Sequence, residues 1–171
     1  MNKYPLSFLI IFNIIFSNEK PFEDYNKVQI LFQNYIKAVD AKDIEKMTDF
    51  FYYGKGEKTI FHFGNNSPLV IYEKEELDEI FKIWKQSTKS KFNRTRLDKI
   101  NVAPRSDRKE EKLCTVDVTY SRLGDNDQLI SKRRSIYHFY RNRNSWIKRF
   151  IKKWKEWKIY MVVDVDIESG S

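Results

Sequence analysis

The stretch WKIYMVVDVDI, residues 157–167, is apolar at every odd position from Trp157 to Ile167. Alternation of period two over that length is the pattern of a β-strand with one face buried. Three further strands are expected before it, over residues 95–102, 112–121 and 129–140. In the second, Cys114, Val116, Val118 and Tyr120 share one face and Asp117 lies on the other. In the third, Tyr137 and Phe139 share one face, while Ile136, His138 and Tyr140 share the opposite one. Gly124-Asp125-Asn126-Asp127 supplies the turn between them.

Upstream the period changes. Val28, Leu31, Phe32, Tyr35 and Val39 fall on one stripe, which predicts a helix over residues 24–39 with Asp24 as its N-cap. Asp43 is placed to cap a second, shorter helix that presents Ile44, Met47, Phe50 and Phe51. Residues 59–63 and 69–72 read as a hairpin around the turn cluster Gly64-Asn65-Asn66-Ser67-Pro68. Residues 73–87 return to helical spacing, with Leu77, Ile80, Phe81 and Trp84 in line and Glu73, Glu75, Glu76 and Asp78 at the N-terminal end, where the helix dipole favours acids.

The chain has 171 residues, enough for one domain with a real core. Sixteen per cent of them are aromatic, a composition that forms a core rather than a disordered chain. Cys114 is the only cysteine and His62 and His138 the only histidines, so an intramolecular disulfide and an all-cysteine zinc site are both excluded. The sequence calls for no cofactor and no metal.

The element order is therefore α-α-β-β-α-β-β-β-β, an α+β class. A curved antiparallel sheet forming a cone around the long first helix satisfies it, because each helix has one apolar stripe to bury against one sheet face. Tyr35-Ile36-Lys37-Ala38-Val39-Asp40-Ala41-Lys42-Asp43-Ile44-Glu45-Lys46-Met47 resembles the junction of the first two helices in the nuclear transport factor 2-like superfamily, which includes SnoaL-like cyclases and ketosteroid isomerase. Residues 137–140 and Trp157-Lys158-Ile159 resemble its last two strands. The resemblance spans residues 21–167, and its motifs are structural rather than catalytic. It implies a cone with an apolar pocket carrying a few inward polar groups, a homodimer formed through the sheet, and a carboxylate or similar group for acid–base work.

The candidates for such a group are His62, Asp117, Tyr120, His138, Tyr140 and Asp164. Strict alternation points Asp117 away from the apolar face, and Asp164 away from the face of Val163 and Val165. His138 is then the first choice as catalytic residue, since imidazole exchanges protons near neutral pH. A core histidine hydrogen-bonded to a tyrosine hydroxyl is the competing reading. Tyr35, His62, Trp84, Tyr120 and Tyr140 are the candidate ligand-pocket residues, Tyr35 and Trp84 being equally readable as plain core.

Two segments lie outside that frame. Residues 1–17 hold Lys3 and then a run of about 11 mostly apolar residues, the size of a signal-peptide core and too short to span a bilayer. The expectation is an exported protein, periplasmic or secreted, with residues 18–171 as the mature domain. Uncleaved, the leader would leave the protein membrane-associated or cytoplasmic.

Residues 131–158 hold 11 lysines and arginines against the single Glu156, more than the whole formal excess of +8. Within them residues 144–155 form a basic amphipathic insertion. Trp146, Ile147, Phe150, Ile151 and Trp154 lie on one side, with Lys148, Arg149, Lys152 and Lys153 on the other. Packing of the aromatic side on the domain is one expectation, and contact with an anionic membrane surface is another. Nucleic acid is a poor candidate partner, because no recognised reading motif accompanies the charge. Two function classes stay open: a domain that binds or converts a small apolar ligand in its cone, and a non-enzymatic interaction domain acting through the basic segment.

Overall fold

The structure, a computed structural model, describes residues 21–54, 56–64, 66–107, 111–142 and 157–165. The apolar stripe of the first helix closes on the sheet. Helix α1, Pro21–Asp40, buries Val28, Phe32, Tyr35, Ile36, Ala38 and Val39. It begins three residues before the expected cap, so Asp24 lies within the helix. Asp43 does cap α2, Ile44–Asp49, accepting from the Lys46 amide at 3.2 Å. Strands β1, Thr59–Phe63, and β2, Leu69–Ile71, form the expected hairpin. Helix α3, Lys74–Gln86, opens on a reciprocal capping box of Glu73 and Glu76 and buries Leu77 and Phe81.

The remaining chain is strand: β3 Arg94–Asp107, β4 Glu111–Leu123, β5 Leu129–Asn142 and β6 Lys158–Val165. The six strands make one curved, unclosed sheet in the order β2-β1-β6-β5-β4-β3. All pairs are antiparallel except β1–β6, which is parallel. The link from α2 to β1 extends this parallel pairing. Tyr52 N donates to Ile159 O at 3.0 Å, and Ile159 N donates to Phe50 O at 2.8 Å. Thr59, fully buried, donates its hydroxyl to Tyr52 O at 2.7 Å.

The helices cover one face of the sheet, and on it Cys114, Val116, Val118, Tyr120, Tyr137, Phe139, Ile159 and Val162 are buried with α1. Burying side chains of this size contributes about 1.5–3 kcal/mol each. Asp117 faces the other way, as expected, and is bound by Arg134.

Strand β6 departs from strict alternation. His138 pairs with Met161 and Phe139 with Ile159, so Tyr160 is an extra residue, a β-bulge. Because side chains alternate with period two, one extra residue exchanges the faces beyond it. The inward set is Trp157, Ile159 and Val162, with Asp164 next in sequence, rather than the odd-numbered row. Among the described residues no helix is long and apolar enough to cross a membrane.

Candidate functional site

The Tyr160 bulge turns Asp164 toward the helix side of the sheet, where it pairs with Ser135 on β5 and Phe63 on β1. Ser135 Oγ donates to Asp164 Oδ1 at 2.8 Å, and Arg133 Nη1 donates to Oδ2 at 3.3 Å. Tyr120 OH lies 3.4 Å from Ser135 Oγ. Since the single serine proton goes to the carboxylate, Tyr120 is the donor in that pair. The result is a directed chain, Tyr120 to Ser135 to Asp164, that ends on an acceptor.

Its supports are buried while its end is open. Ser135 is 2% exposed and Tyr120 5%, whereas the side chains of Asp164 and Arg133 are 21% and 39% exposed. Phe63, beside Asp164, stacks on Phe61 at 5.7 Å and leaves 44% of itself exposed. A carboxylate, a cation and an aromatic surface thus meet at the mouth of the cone.

A second polar group continues the line toward the end of α1. The Arg122 guanidinium lies 4.0 Å from the Phe92 ring centroid and 4.9 Å from that of Tyr120. Its Nη1 donates to Thr95 Oγ1 at 2.7 Å. Thr95 in turn holds Asp40, through its hydroxyl at 2.5 Å and its amide at 3.0 Å. An acid in the last turn of a helix meets the negative end of the dipole, and Thr95 and Arg122 offset that cost.

Deeper in the cone the space is filled. Tyr137 packs on Phe32 at 4.9 Å and on Tyr35 at 5.7 Å, and Tyr35 packs on Phe51 at 5.6 Å. Burial pushes the Tyr35 phenol well above its ordinary value, against the opposing influence of nearby Arg122 and a Tyr137 hydrogen bond. Burial raises Tyr137 likewise, reinforced by Tyr35 and Tyr120. Both are neutral across the physiological range. Burial also pushes the Cys114 thiol up to about 12, so it is an inert core group.

The structure brings Tyr35 and Tyr120 to the inner face, and sets Trp84 half-buried beside Phe92, their rings 6.2 Å apart. His138, His62 and Tyr140 are elsewhere, which corrects their expected place in the cone. On β5 the inward residues are Ser135, Tyr137 and Phe139, so His138 and Tyr140 take the outer face. His138 Nδ1 lies 3.1 Å from Thr115 Oγ1, and Tyr140 packs on Tyr52 at 5.4 Å. His62 neighbours inward Phe61 and pairs with Val163, again outside. Lys148, Arg149, Lys152 and Lys153, with residues 1–17, lie outside the described residues.

Alternation set aside Asp164, which was among the candidates, and Ser135, Arg133 and Phe63 were not named at all. The trace of the bulge is present in the sequence nonetheless: Met161-Val162-Val163 places three apolar residues in succession, which no unbroken two-faced strand needs. Among the described residues no three His, Cys, Asp or Glu side chains gather as a metal site.

No family model matches the chain, and no curated protein matches it. Solved structures do. A domain of unknown function with a cystatin-like fold from Nostoc punctiforme superposes with a TM-score of 0.55 at 12% identity, over 84% of this chain and 76% of that one. A candidate ketosteroid isomerase from Parabacteroides distasonis gives 0.53 at 12% identity, over 83% and 86%. A candidate aromatic ring hydroxylase from Novosphingobium aromaticivorans gives 0.54 at 19% identity, over 85% and 90%. What the chain shares with them is the fold, a cystatin-like α+β arrangement similar to that of nuclear transport factor 2-like proteins. At these identities the likeness concerns the backbone. Within this cone, any chemistry has to be read from the residues present.

Proposed function

We propose that this domain binds a small amphipathic molecule at the mouth of its cone. Its polar end sits on Asp164 and its apolar part lies against Phe63. The observation that carries this reading is the inward, half-open Asp164 carboxylate at the end of the Tyr120–Ser135 chain. Ser135 and Arg133 donate to the carboxylate and leave it lone pairs for a ligand hydroxyl or an acidic C–H. The same arrangement suits Asp164 as proton acceptor in isomerase-, cyclase- or hydrolase-type acid–base chemistry, for which positioned carboxylates are common agents.

Asp164→Asn keeps the shape and removes the charge. Losing one charge-assisted hydrogen bond is expected to weaken a ligand by about 10- to 100-fold. The melting temperature should stay close to that of the parent. A ligand held equally by parent and variant would refute the role.

A second reading rests on the concentration of lysine and arginine in residues 131–158. In it, Lys148, Arg149, Lys152 and Lys153 meet an anionic membrane surface, each worth about 1 kcal/mol there. Binding to phosphatidylserine vesicles should then fall with added salt and on neutralising those four residues. Binding indifferent to both counts against it. We also propose the homodimer and the exported location, which sedimentation and N-terminal sequencing of the native protein test.

A further inference from the structure

The outer face of the sheet carries a groove that has no part in the Asp164 site. It measures about 340 Å³ and is lined by Tyr52, Glu57, Lys58, Leu113, Tyr140 and Tyr160. That volume is at the lower end of the range for small-molecule sites, which fits one or two rings. Its walls are aromatic and set at an angle. Tyr140 and Tyr160 meet edge to face at 6.3 Å and 74°, and Tyr52 leans on Tyr140 at 5.4 Å and 52°. A third ring is held by this geometry through the same offset and edge-to-face contacts, worth about 0.5–1.5 kcal/mol per pair beyond burial.

The rim has one charge of each sign, Glu57 and Lys58. Glu57 is half-buried, while Lys58 is exposed and free to swing toward a ligand. The exposed Lys58 ammonium is the charge a ligand in the groove meets first, and it favours an acidic group. We propose that this groove is a second ligand site, for a small planar aromatic molecule bearing an acidic group. The ring lies against the wall made by Tyr140 and Tyr160, and the acid reaches Lys58.

Tyr160 is also the bulge residue that sets the face of Asp164. A ligand gripping its ring therefore touches the backbone element that positions the inner carboxylate.

Benzoate, with benzyl alcohol as its neutral counterpart, tests the proposal on the full chain by ¹H–¹⁵N NMR titration. The expected result is saturable shifts at Tyr52, Leu113, Tyr140 and Tyr160. Tyr160→Ala should abolish them and Tyr160→Phe should retain them. Lys58→Gln should weaken benzoate several-fold and leave benzyl alcohol unchanged. Asp164→Asn should bind benzoate like the parent, which separates this site from the inner one. Shifts centred on Phe63, Ser135 and Asp164, shifts that do not saturate, or equal binding by parent, Tyr160→Ala and Lys58→Gln would overturn it.

Discussion

Asp78 and Asp117 set how the fold responds to acid. Burial pushes the Asp78 carboxyl up, but the buried Thr48 hydroxyl at 2.6 Å and Lys74 at 3.0 Å outweigh it, and the group rests below its usual range. Asp117 is held low first by the Arg134 fork, at 2.9 and 2.7 Å. For a depressed carboxyl the unfolded chain binds the extra proton. The stabilisation is then complete above the unfolded value of about 3.9 and is lost as pH falls through the folded one. Melting temperature should accordingly drop below about pH 4, and the drop should be shallower in Asp117→Asn. A melting temperature constant down to pH 3 would contradict the assignment. Asp117 also shows what a single residue reveals in advance. Its neighbours Val116 and Val118 are both buried, so its outward direction follows from alternation. Asp164 has apolar neighbours too, yet it points inward, because its direction depends on a register change four residues earlier.

The helices were legible because each carries its own signal. The stripe of α1, the Asp43 cap of α2 and the acidic first turn of α3 are local features, and all appear in the structure. Strands β3 to β5 were legible in position, though each runs further than its alternation suggests. The parallel pairing of β1 with β6 was not legible, and the Tyr160 bulge left only an indirect trace, the apolar run Met161-Val162-Val163. The pairing joins strands about 100 residues apart in sequence, and the bulge is fixed by the register of β6 on β5, so neither follows from local propensity. The bulge can be tested by residue count. Deleting Tyr160 removes the extra residue and returns Asp164 to the outer face, with loss of its Ser135 hydrogen bond. Tyr160→Ala keeps the count and so keeps that bond. The Ser135 hydroxyl proton, protected from exchange by the bond, should remain visible by NMR in Tyr160→Ala and vanish in the deletion. Equal protection in both would show that the bulge does not place Asp164.

Taken together, the molecule is a curved sheet closed on one side by its helices. Tyr35, Tyr137, Phe32 and Phe51 fill the depth of that enclosure, and its polar groups run along the inner wall to the mouth. The resemblance read from the sequence implied an apolar pocket, and the strand pattern made His138 the first choice for a polar group in it. In the observed cone Tyr35, Tyr137, Phe32 and Phe51 pack on one another, and a half-exposed polar group among the described residues of the inner face is found where Phe63 and Asp164 meet. Charge, by contrast, is concentrated in the sequence between residues 131 and 158. The measurement that bears most directly on the inner site is a protein-observed ¹H–¹⁵N NMR screen of small hydroxylated amphipathic molecules against the parent and Asp164→Asn. The account predicts hits that shift Phe63, Tyr120 and Ser135 in the parent and weaken by about 10-fold or more in the variant. Hits that leave those residues unmoved, or that bind the variant as tightly as the parent, would contradict it.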